Sequence, residues 1–325
     1  MEINQLLKFE PILKDKVWGG EKLIKTLHKK SNRKDIGESW ELSDVEGDTS
    51  IVVNGDLKGT DLKSLISDYK SALMGSKIYN HFGDKFPLLI KFIDAKKALS
   101  IQLHPHDDLA KKRHNSFGKT EMWYVMQADE KANLIVGFKK EVTPEEYLHH
   151  LENKSLTNIL NIDEVNKGDV YFIPTGRVHA IGAGVLLAEI QQTSDITYRV
   201  YDWDRPNPDG TFRELHTEEA LDAIDYSAQE FYDTKYTKEQ NTSTEIVSCP
   251  YFTTSVLPIH GKVEVNHANK DSFVIYMCVE GKVDFYYNNQ KESLQMGETI
   301  LVPACIKELV IESEISSELL EVFIK

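Results

Sequence analysis

The chain has 325 residues, of which 41% are hydrophobic and 28% charged, and its formal net charge is −14. Those values describe a globular protein with a core, long enough for two ordinary domains. The acidic balance argues against nucleic acid and anionic membranes as partners.

Residues 1–20 hold neither a long apolar run nor a small-residue cleavage site, so no secretory signal is expected. No run of about 18 apolar residues occurs that could span a membrane. Residues 9–54 read as irregular β-structure, with Glu38 and Trp40 on one face of a strand and Ser39 and Glu41 on the other. Residues 60–82 predict helix, because Leu62, Leu65 and Ile66, then Leu73, Met74 and Ile78, recur at helical spacing. Strands are predicted at 86–93 and 98–104, joined by a turn at 94–97. Residues 120–126 and 132–138 predict a hairpin around 128–131. Thr143, Pro144 and Glu146 form a helix-opening signature, and that helix is expected to reach about residue 160. Strands return over 169–201, followed by a helix over 217–224.

Residues 233–246 are polar and predict a linker. It divides a segment 1–232 from a segment 247–325 rich in short strands. The three cysteines, Cys249, Cys278 and Cys305, are scattered and odd in number, which suits a reducing cytoplasm without a disulfide framework.

The most specific pattern is Gly168 to His179, GDVYFIPTGRVH. Gly168 turns the chain into a strand, and Pro174 and Gly176 force a corner. His179 then opens the next strand with its ring aimed inward. This resembles the second signature of the cupin barrel, an antiparallel jelly roll with a metal at its mouth. Upstream, Gln102 and His104 leave one face of a strand, as do Lys119, Glu121 and Trp123 where their strand starts as early as residue 119. Gln102, His104, Glu121 and His179 together suit one divalent metal, with Zn²⁺, Ni²⁺ or Co²⁺ favoured over Mg²⁺ by two imidazoles. His106 follows Pro105, and its direction is left open. Downstream, Gly297–Pro303 repeats the Gly-x5-Pro spacing, but Ala304–Lys307 supplies neither the Gly nor the His. The fold expected is therefore mainly β with helical additions: two cupin barrels, the second lacking metal ligands.

Residues 86–107, 118–126, 168–184 and 197–205 resemble the type I mannose-6-phosphate isomerases, and VWGG at 17–20 and GESWELS at 37–43 look like that family's flanking segments. The resemblance implies a zinc-dependent aldose–ketose isomerase of the short bacterial form. It implies one zinc per chain on Gln102, His104, Glu121 and His179, and Arg199 as the active-site arginine. It also places Lys119, Glu189, Ser100 and Lys91 in the pocket. The substrate implied is a small sugar phosphate. Lys119, Glu189 and a water on the metal all stand as candidates for the base, and an ion pair with Asp195 or Asp202 stands as the alternative role for Arg199. Two rival readings are an iron-dependent cupin oxygenase and a non-enzymatic sugar-phosphate-binding cupin.

Overall fold

The computed structural model describes residues 3–207 and 209–325. In chain order the first part runs β1 (Ile12–Gly20), α1 (Lys22–Lys25), β2 (Ile36–Leu42), β3 (Asp44–Val45), β4 (Asp48–Thr49), α2 (Leu62–Tyr69), α3 (Ser71–Met74), α4 (Ser76–Phe82), β5 (Leu88–Ala95) and β6 (Ile101–Leu103). Then come α5 (Asp107–His114), β7 (Glu121–Ala128), β8 (Asn133–Phe138), α6 (Pro144–Glu152), β9 (Leu160–Glu164), β10 (Val170–Ile173), β11 (His179–Ile181), β12 (Val185–Gln192), β13 (Tyr198–Tyr201) and α7 (Thr217–Leu221). The C-terminal part is all strand: β14 (Thr244–Ser248), β15 (Thr253–Asn266), β16 (Val274–Glu280), β17 (Lys282–Tyr287), β18 (Gln290–Gln295), β19 (Thr299–Val302) and β20 (Glu308–Phe323).

The first part is a sandwich of two antiparallel sheets, ordered β1-β2-β5-β12-β7-β10 and β13-β6-β11-β8-β9. Alternation along β5, β7 and β12 decides what each face buries. Ile93, Val125 and Leu187 point at Leu134, Val136 and Ile181 of the opposing sheet. Their neighbours Phe92, Tyr124 and Ala188 point the other way, to Leu65 and Ile66 of α2 and to Phe273 and Ile275 of the C-terminal sheet. Both faces are covered, so β5 and β12 are buried at every position. That is why FPLLIKFI reads as an almost continuous apolar run rather than an alternating one. The outer face of the second sheet is closed by α6 and α7, with Tyr147 and Ala220 packing on Leu103 and Val178.

The C-terminal part is a seven-stranded antiparallel sheet ordered β14-β15-β20-β16-β19, with β17 and β18 completing it. It wraps its own core around Tyr276, Phe285, Ile300 and Leu319. It is also joined to the N-terminal segment. Leu7 and Leu301 exchange backbone hydrogen bonds of 2.9 and 2.8 Å, and the amides of Ala304 and Cys305 donate to the carbonyls of Leu73 and Ala72. Among the described residues no helix is long and apolar enough to cross a membrane.

Several expectations need correction. The strands at 121–128 and 133–138 do not form a hairpin, because β7 pairs with β12 and β10 while β8 pairs with β11 and β9. The four residues between them carry the chain from one sheet to the other, a sandwich corner that looks like a hairpin turn in sequence. The helix opened by Thr143 does start there, with the Glu146 amide on Thr143 Oγ1 at 3.2 Å. It stops at Glu152, because Lys154 turns left-handed at φ 51°, and residues 160–164 form β9 instead. Asp94 and Ala95 belong to β5 rather than to a turn. The C-terminal strands are not all short, since β15 spans 14 residues and β20 spans 16. Within 233–246, the Thr234 amide donates to the Val170 carbonyl at 2.8 Å and the Tyr236 hydroxyl to the Gly168 carbonyl at 2.6 Å.

The C-terminal core carries one charged cluster. Buried Glu321 accepts from Ser243 Oγ and Lys270 Nζ, both at 2.7 Å, and from the Tyr276 hydroxyl at 2.9 Å. Burial alone would raise its pKa, yet the bonds from His267, Lys270 and Ser243 hold it at about 2, against an ordinary 4.5. A depressed carboxylate stabilises the fold above its unfolded pKa and loses that contribution as pH falls through the folded one. The shift corresponds to about 3 kcal/mol. Glu321→Gln should therefore lower unfolding stability at pH 7 by about that amount and flatten its pH dependence between 4.5 and about 2, as read by urea titration across pH.

Candidate metal centre

The inner face of the six-stranded sheet changes character along its length. Towards one end it is apolar, with Ile93, Val125 and Leu187. Two residues further along each strand it carries Lys91, Trp123 and Glu189. These three are register partners, Glu189 lying opposite Lys91 on one side and Trp123 on the other. Lys91 Nζ is 3.1 Å from Glu189 Oε1, and the Trp123 indole donates to Glu189 Oε2 at 2.9 Å. Buried charge is tolerable when paired and hydrogen-bonded in this way.

The facing sheet supplies the other half. In β6, Gln102 lies opposite His179 on one side and Arg199 on the other. His179 opens β11 because the chain reverses at Pro174–Arg177. Gly176 there has φ 82°, and a Cβ on it would sit 2.6 Å from the Ala223 carbonyl oxygen. Only glycine fits that corner.

Glu121, His104 and His179 are all buried, and one ligand atom from each lies within 4.8 Å of the others. Glu121 Oε2 is 3.4 Å from His104 Nε2, and Glu121 Oε1 is 3.5 Å from His179 Nε2. The far nitrogen of each ring is committed to a carbonyl: His104 Nδ1 to Ile196 and His179 Nδ1 to Arg177, both at 2.8 Å. A carbonyl only accepts, so each Nδ1 carries the proton and each Nε2 turns a lone pair inward. Burial, then the Lys119 charge, lowers the His104 pKa to about 4, and burial is the leading cause that lowers His179. Both rings are neutral near pH 7, the form that ligates metal. Burial would raise Glu121, but Lys119 above all keeps it well below the ordinary carboxylate range.

His179 Nε2 and Glu121 Oε1 are buried acceptors without a hydrogen-bond partner. Leaving such atoms unpaired is costly, and a divalent cation between them satisfies both. Lys119 Nζ, 2.5 Å from Glu121 Oε2 and 3.0 Å from His104 Nε2, shows that the donors already attract positive charge. Two neutral imidazoles and a carboxylate, with the Gln102 amide beside them, form a donor set that could hold Zn²⁺.

Arg199 donates from Nε to Ser100 Oγ at 3.2 Å and from one terminal nitrogen to the Glu214 carbonyl at 2.9 Å. Ser100 Oγ in turn donates to Gln102 Oε1 at 3.1 Å. Asp202, an alternative partner for Arg199, is taken by Arg205 at 2.6 Å and by Arg213 at 2.7 and 2.5 Å. Among the described residues Arg199 forms no ion pair with Asp195 or Asp202, and its guanidinium faces the cleft.

That cleft has a volume of about 130 Å³ and is open to solvent. Lys91, Ser100, Lys119, Glu189 and Arg199 all reach it, as does Gln102. Sequence reasoning missed its outer wall, made by Lys16, Trp18, Glu38 and Trp40 of β1 and β2. Glu38 accepts from the Trp40 indole at 2.7 Å and pairs with Lys16 at 3.1 Å. Burial opposes its charge, but Lys91 and Lys16 bring its pKa to about 2. The alternation of Lys16 with Trp18 and of Glu38 with Trp40 was the available signal. His106 lies outside the centre: it is exposed and caps α5, its Nδ1 accepting from the Leu109 amide at 3.4 Å.

Residues 6–140 match the family described as phosphomannose isomerase type I, catalytic domain, and residues 242–320 match that described as mannose-6-phosphate isomerase, cupin domain. The chain is 32% identical to mannose-6-phosphate isomerase ManA of Bacillus subtilis (strain 168) over 309 residues, which cover 94% of this chain and 95% of that protein. It is also 32% identical to the mannose-6-phosphate isomerase of Streptococcus mutans over 293 residues, 90% of each chain. The crystal structure of the mannose 6-phosphate isomerase from Bacillus subtilis aligns with a TM-score of 0.88 at 30% identity, covering 98% of this chain and 99% of that one.

Replacing His179 removes one of three convergent donors and leaves Glu121 Oε1 facing an empty space. His179→Ala should fold but retain less than about a tenth of the divalent metal bound by the parent, measured by elemental analysis after dialysis. Full retention would contradict the ligand set.

Proposed function

The chain belongs to the type I phosphomannose isomerases, and from that membership we propose that it interconverts D-mannose 6-phosphate and D-fructose 6-phosphate through an enediol. The observation that carries the proposal is the convergence of two tautomer-fixed imidazoles and a carboxylate beside a cleft that His179 lines together with Lys91, Lys119 and Arg199. A sugar phosphate needs donors for its hydroxyls and cations for its anionic charge, and the cleft offers both. Relatives named as mannose-6-phosphate isomerases span nearly the whole chain, which supports this sugar over other phosphorylated aldoses.

We assign His104, Glu121, His179 and Gln102 to one zinc ion. When bound, zinc would polarise a substrate oxygen and so stabilise the charge that develops on it. The rest of the chemistry falls to side chains. The reaction moves a proton between C2 of the aldose and C1 of the ketose, which needs a group able to take and return it. Both oxygens of Glu189 are engaged, one by Lys91 and one by the Trp123 indole. Glu189 therefore positions Lys91, and Lys119 Nζ, buried beside the ligands, is the better proton carrier. Arg199, held on two sides by Ser100 and the Glu214 carbonyl and in no ion pair among the described residues, would stabilise an enediolate oxygen. Ser100, Lys91 and Glu189 line the substrate's path.

Residues 1–232 are assigned to the catalytic cupin unit, 233–246 to the connection and 247–325 to a second cupin barrel without a metal site. Among the described residues the one cluster with ligand geometry lies in the first unit, and Ala304–Lys307 supplies no histidine after Pro303.

A coupled assay converting mannose 6-phosphate to fructose 6-phosphate should show turnover that chelation abolishes and zinc restores. No turnover by the metal-loaded protein would refute the assignment. Arg199→Ala should stay folded and metal-loaded while kcat falls by about 10²–10³-fold, measured in the same assay. A near-parental kcat would remove Arg199 from the mechanism.

A further inference from the structure

Lys119 and Glu121 act side by side in the reading above, yet they sit on different kinds of backbone. Glu121 opens β7 and is held by its neighbours in the sheet, while Gly118, Lys119 and Thr120 belong to no helix or strand. The amides on either side of Lys119 are instead held by side chains. The Gly118 amide donates to Asp107 Oδ1 at 2.8 Å, and the Thr120 amide donates to Gln192 Oε1 at 2.8 Å. Those two side chains are tied to each other, Gln192 Nε2 donating to the same Asp107 Oδ1 at 3.0 Å. Gln192 is fixed further by its own amide, which donates to the Thr120 carbonyl at 3.1 Å. The remaining oxygen of Asp107 accepts from the hydroxyl of Tyr251 at 2.5 Å. Tyr251 lies between β14 and β15, in the C-terminal part of the chain, and packs against the core shared by both parts.

The approach at Gly118 is close as well as bonded. A Cβ there would lie 2.8 Å from the Asp107 backbone nitrogen and 3.0 Å from its Oδ1. A carboxylate accepting three hydrogen bonds is a rigid hub, and all three of its donors are on separate segments.

We propose that Tyr251 and Asp107 are positioning residues for the isomerisation: the C-terminal unit, through the Tyr251 hydroxyl, orients the Asp107 carboxylate, and Asp107 with Gln192 sets the backbone that aims Lys119 Nζ. The inference rests on the proposed role of Lys119, and it gives the C-terminal barrel a part in catalysis although it contributes no group to the cleft. It involves geometry alone, since none of these groups changes charge in the argument.

Four variants of the full-length, metal-loaded protein test it, with two readouts. Tyr251→Phe deletes one hydroxyl and should lower kcat about tenfold while KM and metal content stay within about twofold of the parent. Asp107→Asn keeps Oδ1 for Gly118 and Gln192 and offers an amide N–H to the Tyr251 oxygen, so it should keep near-parental kcat. Asp107→Ala should fall at least as far as Tyr251→Phe. The double variant Tyr251→Phe/Asp107→Ala should fall no further than Asp107→Ala alone, because the two residues act in series. The second readout is amide hydrogen exchange over 118–120, which should quicken about tenfold in Tyr251→Phe and stay parental in Asp107→Asn.

Parental kcat in Tyr251→Phe would overturn the proposal, as would unchanged exchange at Gly118. So would an Asp107→Asn variant as impaired as Asp107→Ala, which would make charge rather than geometry the cause. A parent inactive on mannose 6-phosphate would defeat the proposed function instead, and the exchange measurements would still decide whether Tyr251 holds the Lys119 backbone.

Discussion

Everything at the cleft depends on keeping charge inside a β-sandwich without leaving it unpaired. Lys91, Lys119, Glu121 and Glu189 are each buried, and a lone ion in such a place would cost several kcal/mol. The sheet makes the arrangement tolerable by register. Lys91, Glu189 and Trp123 stand abreast on three adjacent strands, so each charge meets its partner without bending the backbone. The exception is informative. Glu121 Oε1 and His179 Nε2 are both buried without a hydrogen-bond partner, and they lie 3.5 Å apart. Two opposed acceptors, with His104 Nε2 3.4 Å from the same carboxylate, make a seat for a cation.

Much of this was legible in the amino-acid sequence, for reasons of spacing. Residues two apart on a strand share a face, so Gln102 with His104, and Glu121 with Trp123, announced one mouth, whereas Lys119 reaches the same cleft from the irregular segment before β7. Gly168, Pro174, Gly176 and His179 announced the corner that brings the last ring to it. What spacing cannot carry is which strand meets which. The residues between β7 and β8 read as a hairpin because a hairpin and a sandwich corner use the same polar turn residues, and only the partners at Val170–Ile173 and His179–Ile181 distinguish them. The outer wall at Lys16, Trp18, Glu38 and Trp40 was missed for the same reason. Its alternation was visible, but its neighbour β5 lies about fifty residues away, and no local pattern specifies that pairing. The early stop of α6 escaped because Lys154 takes a left-handed conformation that a glycine or asparagine would have advertised.

The two parts of the molecule share more than a chain. One apolar cluster includes Leu65, Phe92 and Tyr124 from the first part and Phe252, Phe273 and Val322 from the second. The central sheet is thus the middle layer of a three-layer body, with the cleft on one side and the C-terminal strands on the other. In such a stack the middle layer cannot shift to suit one side without disturbing the other, since interiors this dense transmit displacement. The buried contact of Tyr124 with Glu318, supported by Lys238 at 2.6 Å, fastens that layer one residue away from Trp123.

The pairing of Leu7 with Leu301 has a consequence for how the molecule is made. Those residues emerge from the ribosome nearly three hundred positions apart. Until Leu301 is made, the segment that carries Leu7 has residues 51–54 as its strand neighbours, through the Phe9–Val52 bridge and the bond from Asn54 to the Leu6 carbonyl, and its other edge stays open. Contacts of that separation are slow to form, and exposed apolar segments invite association with other nascent chains. The finished architecture therefore closes this seam only after the strands of the sandwich have been made.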